Sequence, residues 1–226
     1  MVIEAKVNET RLKDFNAHLL EYLVGPCEFS ENYMLPDARI IPVSIKSRVR
    51  LRTIDLKIDF EGETAHDIAL SISKFTAELS GEVHLSLPDG FQYWCAFTGA
   101  STPKEVAPWI QQATFSFVGF RHIRKKTFKL KGSCDVFIEG NVETPAIVKI
   151  TPGEDTTEVT FNGITITSLE NSVTIDGVYT TVKDELGANK FADTNMTEWP
   201  KLYPGSMAIE IEGNATVEVS YYPIYL

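Results

Sequence analysis

Carboxylates and aromatic side chains are the residues of this chain best suited to act on a ligand, and many of both lie in its second half. Residues 131–226 hold 15 of the 31 Asp+Glu but only 5 of the 21 Lys+Arg. Two carboxylates flanking a glycosidic bond are the working parts of a glycoside hydrolase: one protonates the leaving group, the other attacks or activates water. The sequence places no such pair, and Glu210, Glu212 and Glu218 share the parity of a solvated strand face. Trp199, Tyr203, Tyr221, Tyr222 and Tyr225 can offer flat faces to a sugar, although core packing and edge closure use the same residues more simply. Cys27, Cys95 and Cys134 are an odd number without close spacing, and His18, His66, His84 and His122 are scattered. Neither a zinc site nor a disulfide framework is expected from them. A G-x-S-x-G elbow and a glycine-rich phosphate loop are missing. The expectation is a protein without catalytic, cofactor or metal residues, and not an enzyme.

Composition bounds the frame that must hold these residues. A chain of 226 residues makes one large or two small domains and buries roughly 70% of its unfolded surface without staples. Residues 1–130 carry 16 charges of each sign, so the whole formal net charge of -10 comes from residues 131–226. That break sets a boundary near 130, just after the basic run Arg121-His122-Ile123-Arg124-Lys125-Lys126. We read residues 1–128 as one domain and 129–226 as a second. A one-sided acidic domain is unsuited to gripping nucleic acid, which needs clustered cations against phosphates. No apolar run approaches the ~18 residues of a membrane span, and the N-terminus lacks an apolar signal region. A soluble protein kept in a reducing cytosol is expected, with no membrane partner.

The first domain reads as strands with one helix. Asn8-Glu9 marks a tight turn, and 17–25 suits a strand that Gly25-Pro26 stops. Residues 31–47 read as a long extended loop or arm, because Pro36 and Pro42 remove two backbone donors. The apolar residues Tyr33, Met34, Leu35, Ile40 and Ile41 either wrap that arm on its own core or pack it on a neighbouring subunit. Residues 48–60 read as one long strand with a bulge near Arg52-Thr53, where the apolar positions switch parity. Arg48, Arg50 and Arg52 form a basic stripe, read as a solvated or inter-subunit face rather than a phosphate ladder. Thr64 caps a helix over 64–79 whose stripe is Ile68, Ile72, Phe75 and Leu79, flanked by Ala65, Ala69 and Thr76. Pro88-Asp89-Gly90 predicts a hairpin pairing Leu87 with Phe91, Leu85 with Tyr93 and Val83 with Cys95. Residues 109–122 give a further strand.

The second domain reads as all β. Asn162-Gly163 predicts a tight hairpin between Val159/Phe161 and Ile164/Ile166. Short strands follow at sandwich spacing, with a turn at Asp176-Gly177. Residues 199–226 read as a closing hairpin. Ile209 and Ile211 face the same core as Ala215, Val217 and Val219 when the loop is the odd-numbered Glu212-Gly213-Asn214, with Asn214 in the left-handed position.

Those closing residues resemble a known family. Trp199-Pro200-Lys201-Leu202-Tyr203-Pro204-Gly205, an alternating stretch, then Tyr221-Tyr222-Pro223-Ile224-Tyr225-Leu226 are similar to the C-terminal signature of siphophage and prophage distal tail (Dit) proteins. The signature residues are Trp199, Pro200, Leu202, Pro204, Gly205, Tyr221, Pro223 and Tyr225. The order of strand, helix, Pro-Asp-Gly hairpin and the 101–109 segment in the first half resembles that family too. The fold class so implied is mainly β: an N-terminal split-barrel or sandwich domain with one helix, and a C-terminal galectin-like β-sandwich. The resemblance also implies a hexameric ring joining the tail tube to the adsorption apparatus, with DNA passing through its lumen. The partners implied are copies of the chain itself, the tail tube protein, the tail-tip hub or lysin protein, the tape measure protein and a receptor-binding protein. Residues 31–47 match the arm by which neighbours clasp, with Tyr33, Met34, Leu35, Ile40, Ile41, Arg48, Arg50 and Arg52 as interface candidates. A carbohydrate-binding module is the alternative function.

Overall fold

The computed structural model describes residues 4–27, 29–34, 43–49 and 51–226, with 29–34 and 43–49 described as backbone only. The chain divides into two compact units, residues 1–122 with Leu226, and residues 123–225. Both units are built mainly of strands.

In the first unit the elements are β1 (Lys6–Val7), β2 (Thr10–Arg11), β3 (Ala17–Val24), β4 (Phe29–Met34), β5 (Val43–Val49), β6 (Arg52–Glu61), α1 (Ala65–Ala77), β7 (Glu82–Ser86), β8 (Gln92–Ala100), β9 (Lys104–Ala107) and β10 (Ile110–His122). The main sheet runs β2-β1-β7-β8-β10-β6-β3, and β9 adds to β10. Local turn chemistry sets the first hairpins. Asn8 and Glu9 both take positive φ between β1 and β2. Between β7 and β8, Gly90 is left-handed, and Val83 faces Cys95 and Leu85 faces Tyr93 as the three-residue turn requires. The Asp89 carboxylate fixes that turn, accepting from the Phe91 N–H and the buried Tyr93 hydroxyl.

The helix covers a phenylalanine core. Thr64 caps it, its Oγ1 accepting from the Asp67 N–H at 3.2 Å. Ile68, Phe75 and Leu79 are buried, with Ile72 half-buried. The stripe is flanked by buried Ser71, whereas Ala65, Ala69 and Thr76 are exposed. Phe75 meets Phe15, Phe60 and Phe115 edge-on at 5.5, 5.6 and 4.8 Å between centroids.

Two readings of this half are corrected. The long strand expected over 48–60 is two strands, β5 ending at Val49 and β6 starting at Arg52, in different sheets. The parity switch marks that handover between sheets rather than a bulge within one ladder. The expected loop over 31–47 is at both its ends a hairpin, in which β4 pairs antiparallel with β5, Phe29 opposite Val49 and Met34 opposite Val43. Pro36 and Pro42 fall within residues 35–42, which lie outside the described residues.

The second unit comprises β11 (Lys126–Leu130), β12 (Cys134–Ile138), β13 (Thr144–Pro152), β14 (Val159–Phe161), β15 (Ile164–Ile166), β16 (Val173–Asp176), β17 (Thr181–Asp184), β18 (Lys201–Leu202), β19 (Gly205–Ile209), β20 (Ile211–Glu212) and β21 (Ala215–Tyr221). One sheet runs β11-β21-β13-β16-β17, and β18 pairs with β13. Against the same core stand two smaller sheets, β12-β19 and β15-β14-β20. Asn162 and Gly163 both take positive φ, and Phe161 faces Ile164 as the two-residue loop demands.

The closing hairpin is a further correction. Residues 205–212 pair with β12 and then with β14, while Ala215–Tyr221 pairs with β11 and β13. The chain therefore crosses from one side of the core to the other at 212–214. Ile209, Ile211, Ala215, Val217 and Val219 do share one core, but they reach it from different sheets. Gly213, not Asn214, takes the left-handed position, with φ +98°. Side chains bridge the ladder where β19 gives way to β20. Asn162 accepts from the Glu210 N–H at 2.8 Å, and Ser133 accepts from the Ile211 N–H at 2.8 Å.

The three thiols stay separate, Cys95 buried and Cys134 exposed. Burial alone pushes the Cys95 thiol up to about 12, and the thiolate is the reactive form. Iodoacetamide at pH 8 is therefore expected to label Cys134 in the native protein and to reach Cys95 only after urea unfolding. Mass mapping of the labelled peptides reads this out, and rapid native labelling of Cys95 would contradict the burial.

Candidate interaction surfaces

Among the described residues no cluster of three or more His, Cys, Asp or Glu could hold a metal, and no helix is long and apolar enough to cross a membrane. The carboxylates are spent on strand faces: Glu218 pairs with Lys129 at 2.9 Å, and Glu210 and Glu212 are exposed. What the geometry offers is surface for contact.

The first surface follows one edge of the first unit. Strand β3 ends the sheet path, pairing only with β6 among the described strands. An open edge is a template for another chain and is normally blunted by charge or cover. This one presents Leu20 and Leu23, 51% and 64% exposed. His18 on the same strand lies 3.8 Å from Glu61, and both line a cleft of about 740 Å³ with Lys13, Gly62, Asp67 and Trp109. Trp109 is held unusually. It follows Pro108 in the turn from β9 to β10 with φ +69° and is 59% exposed. That is the left-handed region, where glycine or asparagine is the rule, and a residue with a Cβ costs about 1–2 kcal/mol there. A bulky aromatic kept in a strained, solvated position is a reasonable anchor for a partner. Trp109→Asn is expected to leave unfolding in urea within about 1 kcal/mol of the parent, because strain relief offsets the lost packing. If this surface meets a second copy of the chain, the same variant is expected to weaken that association, measured by sedimentation velocity.

The sequence-derived interface residues are divided by the structure. Tyr33 and Met34 lie on β4 and Arg48 on β5, in one hairpin but at opposite ends of it, since Arg48 faces Ser30 while Tyr33 faces Ser44 and Met34 faces Val43. Leu35, Ile40, Ile41 and Arg50 lie outside the described residues. Arg52 departs from the solvated stripe: it is 7% exposed and donates from Nη1 to the Gly25 carbonyl at 2.9 Å. The reason is the even parity of β6, which turns Arg52 inward with Ile54, Leu56, Ile58 and Phe60. Sequence reasoning passed over Trp109 as an ordinary strand residue. The Pro-Trp dipeptide at a turn was the available signal.

The second surface lies in the second unit, where the signature residues meet. Pro200, Leu202, Tyr221 and Pro223 are buried, and Pro204 and Tyr225 are half-buried. The Tyr221 hydroxyl accepts from the Glu139 N–H at 3.0 Å, and the Pro200 carbonyl from the Ala146 N–H at 2.9 Å. Gly205 takes φ +99°. Trp199 and Tyr203 line a cleft of about 500 Å³ with Asn162, Asn195, Glu198 and Glu210.

No family model and no curated protein matches the chain by sequence. Solved structures match it closely in shape. The crystal structure of the SPP1 Dit protein, described as a paradigm of the hub adsorption apparatus in phages infecting Gram-positive bacteria, superposes with a TM-score of 0.76 at 12% identity over 99% of each chain. A chain of the phage P2 baseplate in its activated conformation with calcium matches at TM-score 0.63 and 10% identity, covering 99% of this chain and 98% of that one. The strontium form of the phage p2 baseplate matches at 0.61 and 9% identity, over 97% of both. Over its whole length, then, the chain has the fold of the phage Dit hub protein, the family its closing residues resemble.

Proposed function

We propose that this chain is a structural subunit of a phage tail, a distal tail protein without enzymatic activity. Six copies close into a ring that joins the tail tube to the adsorption apparatus at the tip, and DNA passes through the lumen. The observation that supports this most is the end-to-end likeness in fold to a hub protein, at TM-score 0.76 over 99% of both chains. The open β3 edge and the strained, exposed Trp109 give the first unit surfaces suited to heterologous contacts, the kind that close into rings. The β4–β5 hairpin extends this as the clasping arm, through Tyr33, Met34, Leu35, Ile40, Ile41, Arg48 and Arg50. Arg52 serves by holding Gly25 inside its own unit. A formal net charge of -10 suits DNA in transit, since it offers phosphates no grip.

The partners in this reading are other copies of the chain, the tail tube protein, the tail-tip hub or lysin protein, the tape measure protein and a receptor-binding protein. The protein is assembled in the host cytoplasm and resides in the virion. Gold-labelled antibody against the chain, applied to particles released from cells encoding it, is expected to mark the end of the tail distant from the capsid. Labelling confined to capsids, or an absence from purified particles, would overturn the reading.

A further inference from the structure

We infer that the Trp199–Tyr203 cleft of the second unit is a carbohydrate-binding site for neutral or N-acetylated hexose chains. This goes beyond the role as a hub, since every residue lining the cleft belongs to the second unit. The cleft opens between the β14–β15 turn, the segment 195–203 that carries β18, and β19, and measures about 500 Å³. Tyr203 is 55% exposed, and Trp199 is backed by Phe191 at 5.9 Å between ring centroids. Solvated aromatic faces suit the apolar C–H faces of pyranose rings. Each of the two aromatics precedes a proline, Pro200 and Pro204, which restricts its backbone to extended conformations. The backbone beneath the platform is thus restricted before any ligand arrives, which lowers the ordering cost of binding.

Hydroxyl-bonding groups border the platform and are held in place. Asn162 Oδ1 accepts from the Glu210 N–H and Asn195 Oδ1 from the Thr165 N–H, each at 2.8 Å. These bonds orient both amides: Asn162 keeps its NH2 as the donor side, and Asn195, which spends one N–H on the Gly163 carbonyl at 3.4 Å, keeps the other. Glu198 and Glu210 add acceptors. The cation of the cleft, Lys201, is neutralised by Glu143 at 2.9 Å, so the net charge facing a ligand is negative. Phosphodiester polymers are thereby disfavoured, and uncharged sugars are left as the matching chemistry.

The test uses the full chain and three soluble probes: chitohexaose, cellohexaose and maltohexaose. Titration calorimetry is expected to show binding of at least one, weakened about tenfold by Trp199→Ala and clearly by Tyr203→Ala. Tyr203 is exposed, so its removal leaves folding intact if Trp199→Ala proves unstable. Trp109→Ala, in the other unit, is the control and is expected to bind as the parent does. No binding of any probe by the folded parent would overturn the inference, as would parental affinity in Tyr203→Ala. Preference for a glycerol-phosphate polymer over all three sugars would overturn it too. Any of these results leaves ring formation untouched, so failure here is distinct from failure of the hub reading.

Discussion

Phe75→Ala is expected to lower the stability of the first unit by about 3–5 kcal/mol, the range for removing a large ring from a close-packed core. Phe75 is fully buried and makes edge contacts with three other phenylalanines. With it goes the anchor that seats α1, and α1 brings Asp67 to the Trp109 cleft. The loss is comparable with the whole stability of many domains, about 5–15 kcal/mol. The second unit has a separate core and is expected to keep its transition. Urea unfolding followed by tryptophan emission separates the two, because Trp94 and Trp109 report on the first unit and Trp199 on the second. A shift under 1 kcal/mol, or equal loss in both units, would contradict this account of the core.

Gly119→Ala is the second large effect, by the opposite mechanism. Gly119 lies on β10 between Cys95 of β8 and Arg52 of β6. A methyl group there would collide with the Trp94 carbonyl oxygen and sit 2.7 Å from Cys95 Sγ and 2.9 Å from Cys95 Cα. Overpacking a core costs typically 1–3 kcal/mol, and a backbone oxygen has no rotamer by which to withdraw, so a loss of about 3 kcal/mol or more is expected. Gly119→Ala combined with Cys95→Ala is expected to remain destabilised, because the Trp94 oxygen stays in place. Full rescue in the double variant would locate the clash at the sulfur instead.

How much of this was legible depended on how local the deciding interaction is. The Pro88-Asp89-Gly90 and Asn162-Gly163 hairpins came out in the observed registers, because loop length and positive-φ residues determine pairing within a few positions. The 205–221 stretch was misread for a reason that pattern cannot repair. A hairpin and a crossing between facing sheets both turn Ile209, Ile211, Ala215, Val217 and Val219 inward, so alternation is blind to the difference. The partners that decide it, β12 and β14 for one strand and β11 and β13 for the other, lie dozens of residues away. The same blindness merged β5 with β6 and put Arg52 on a solvated face. On the helix, the apolar stripe was legible but its flank was not, since Ser71 is buried by tertiary packing that composition does not record. Of the contact surfaces, the Trp199–Tyr203 aromatics were visible as a motif. The Trp109 surface was not, because its signal is a backbone conformation and an open strand edge.

The two units divide the expected work. The first has the β3 edge, unpaired among the described strands, the strained Trp109 and the β4–β5 hairpin, features suited to the proposed assembly. The second has an acidic surface and an aromatic cleft, features suited to contact with a ligand or partner. The signature residues of the last 28 positions mostly hold the second core together, so they mark the fold.

The central claim is assembly, and particle mass tests it most directly. Light scattering on the purified chain at tens of micromolar, alone and with its tail tube protein, is expected to find a species of about 150 kDa, six copies of 25.2 kDa, with six-fold rings in negative stain. A single 25.2 kDa species under both conditions, with no rings, would contradict the account.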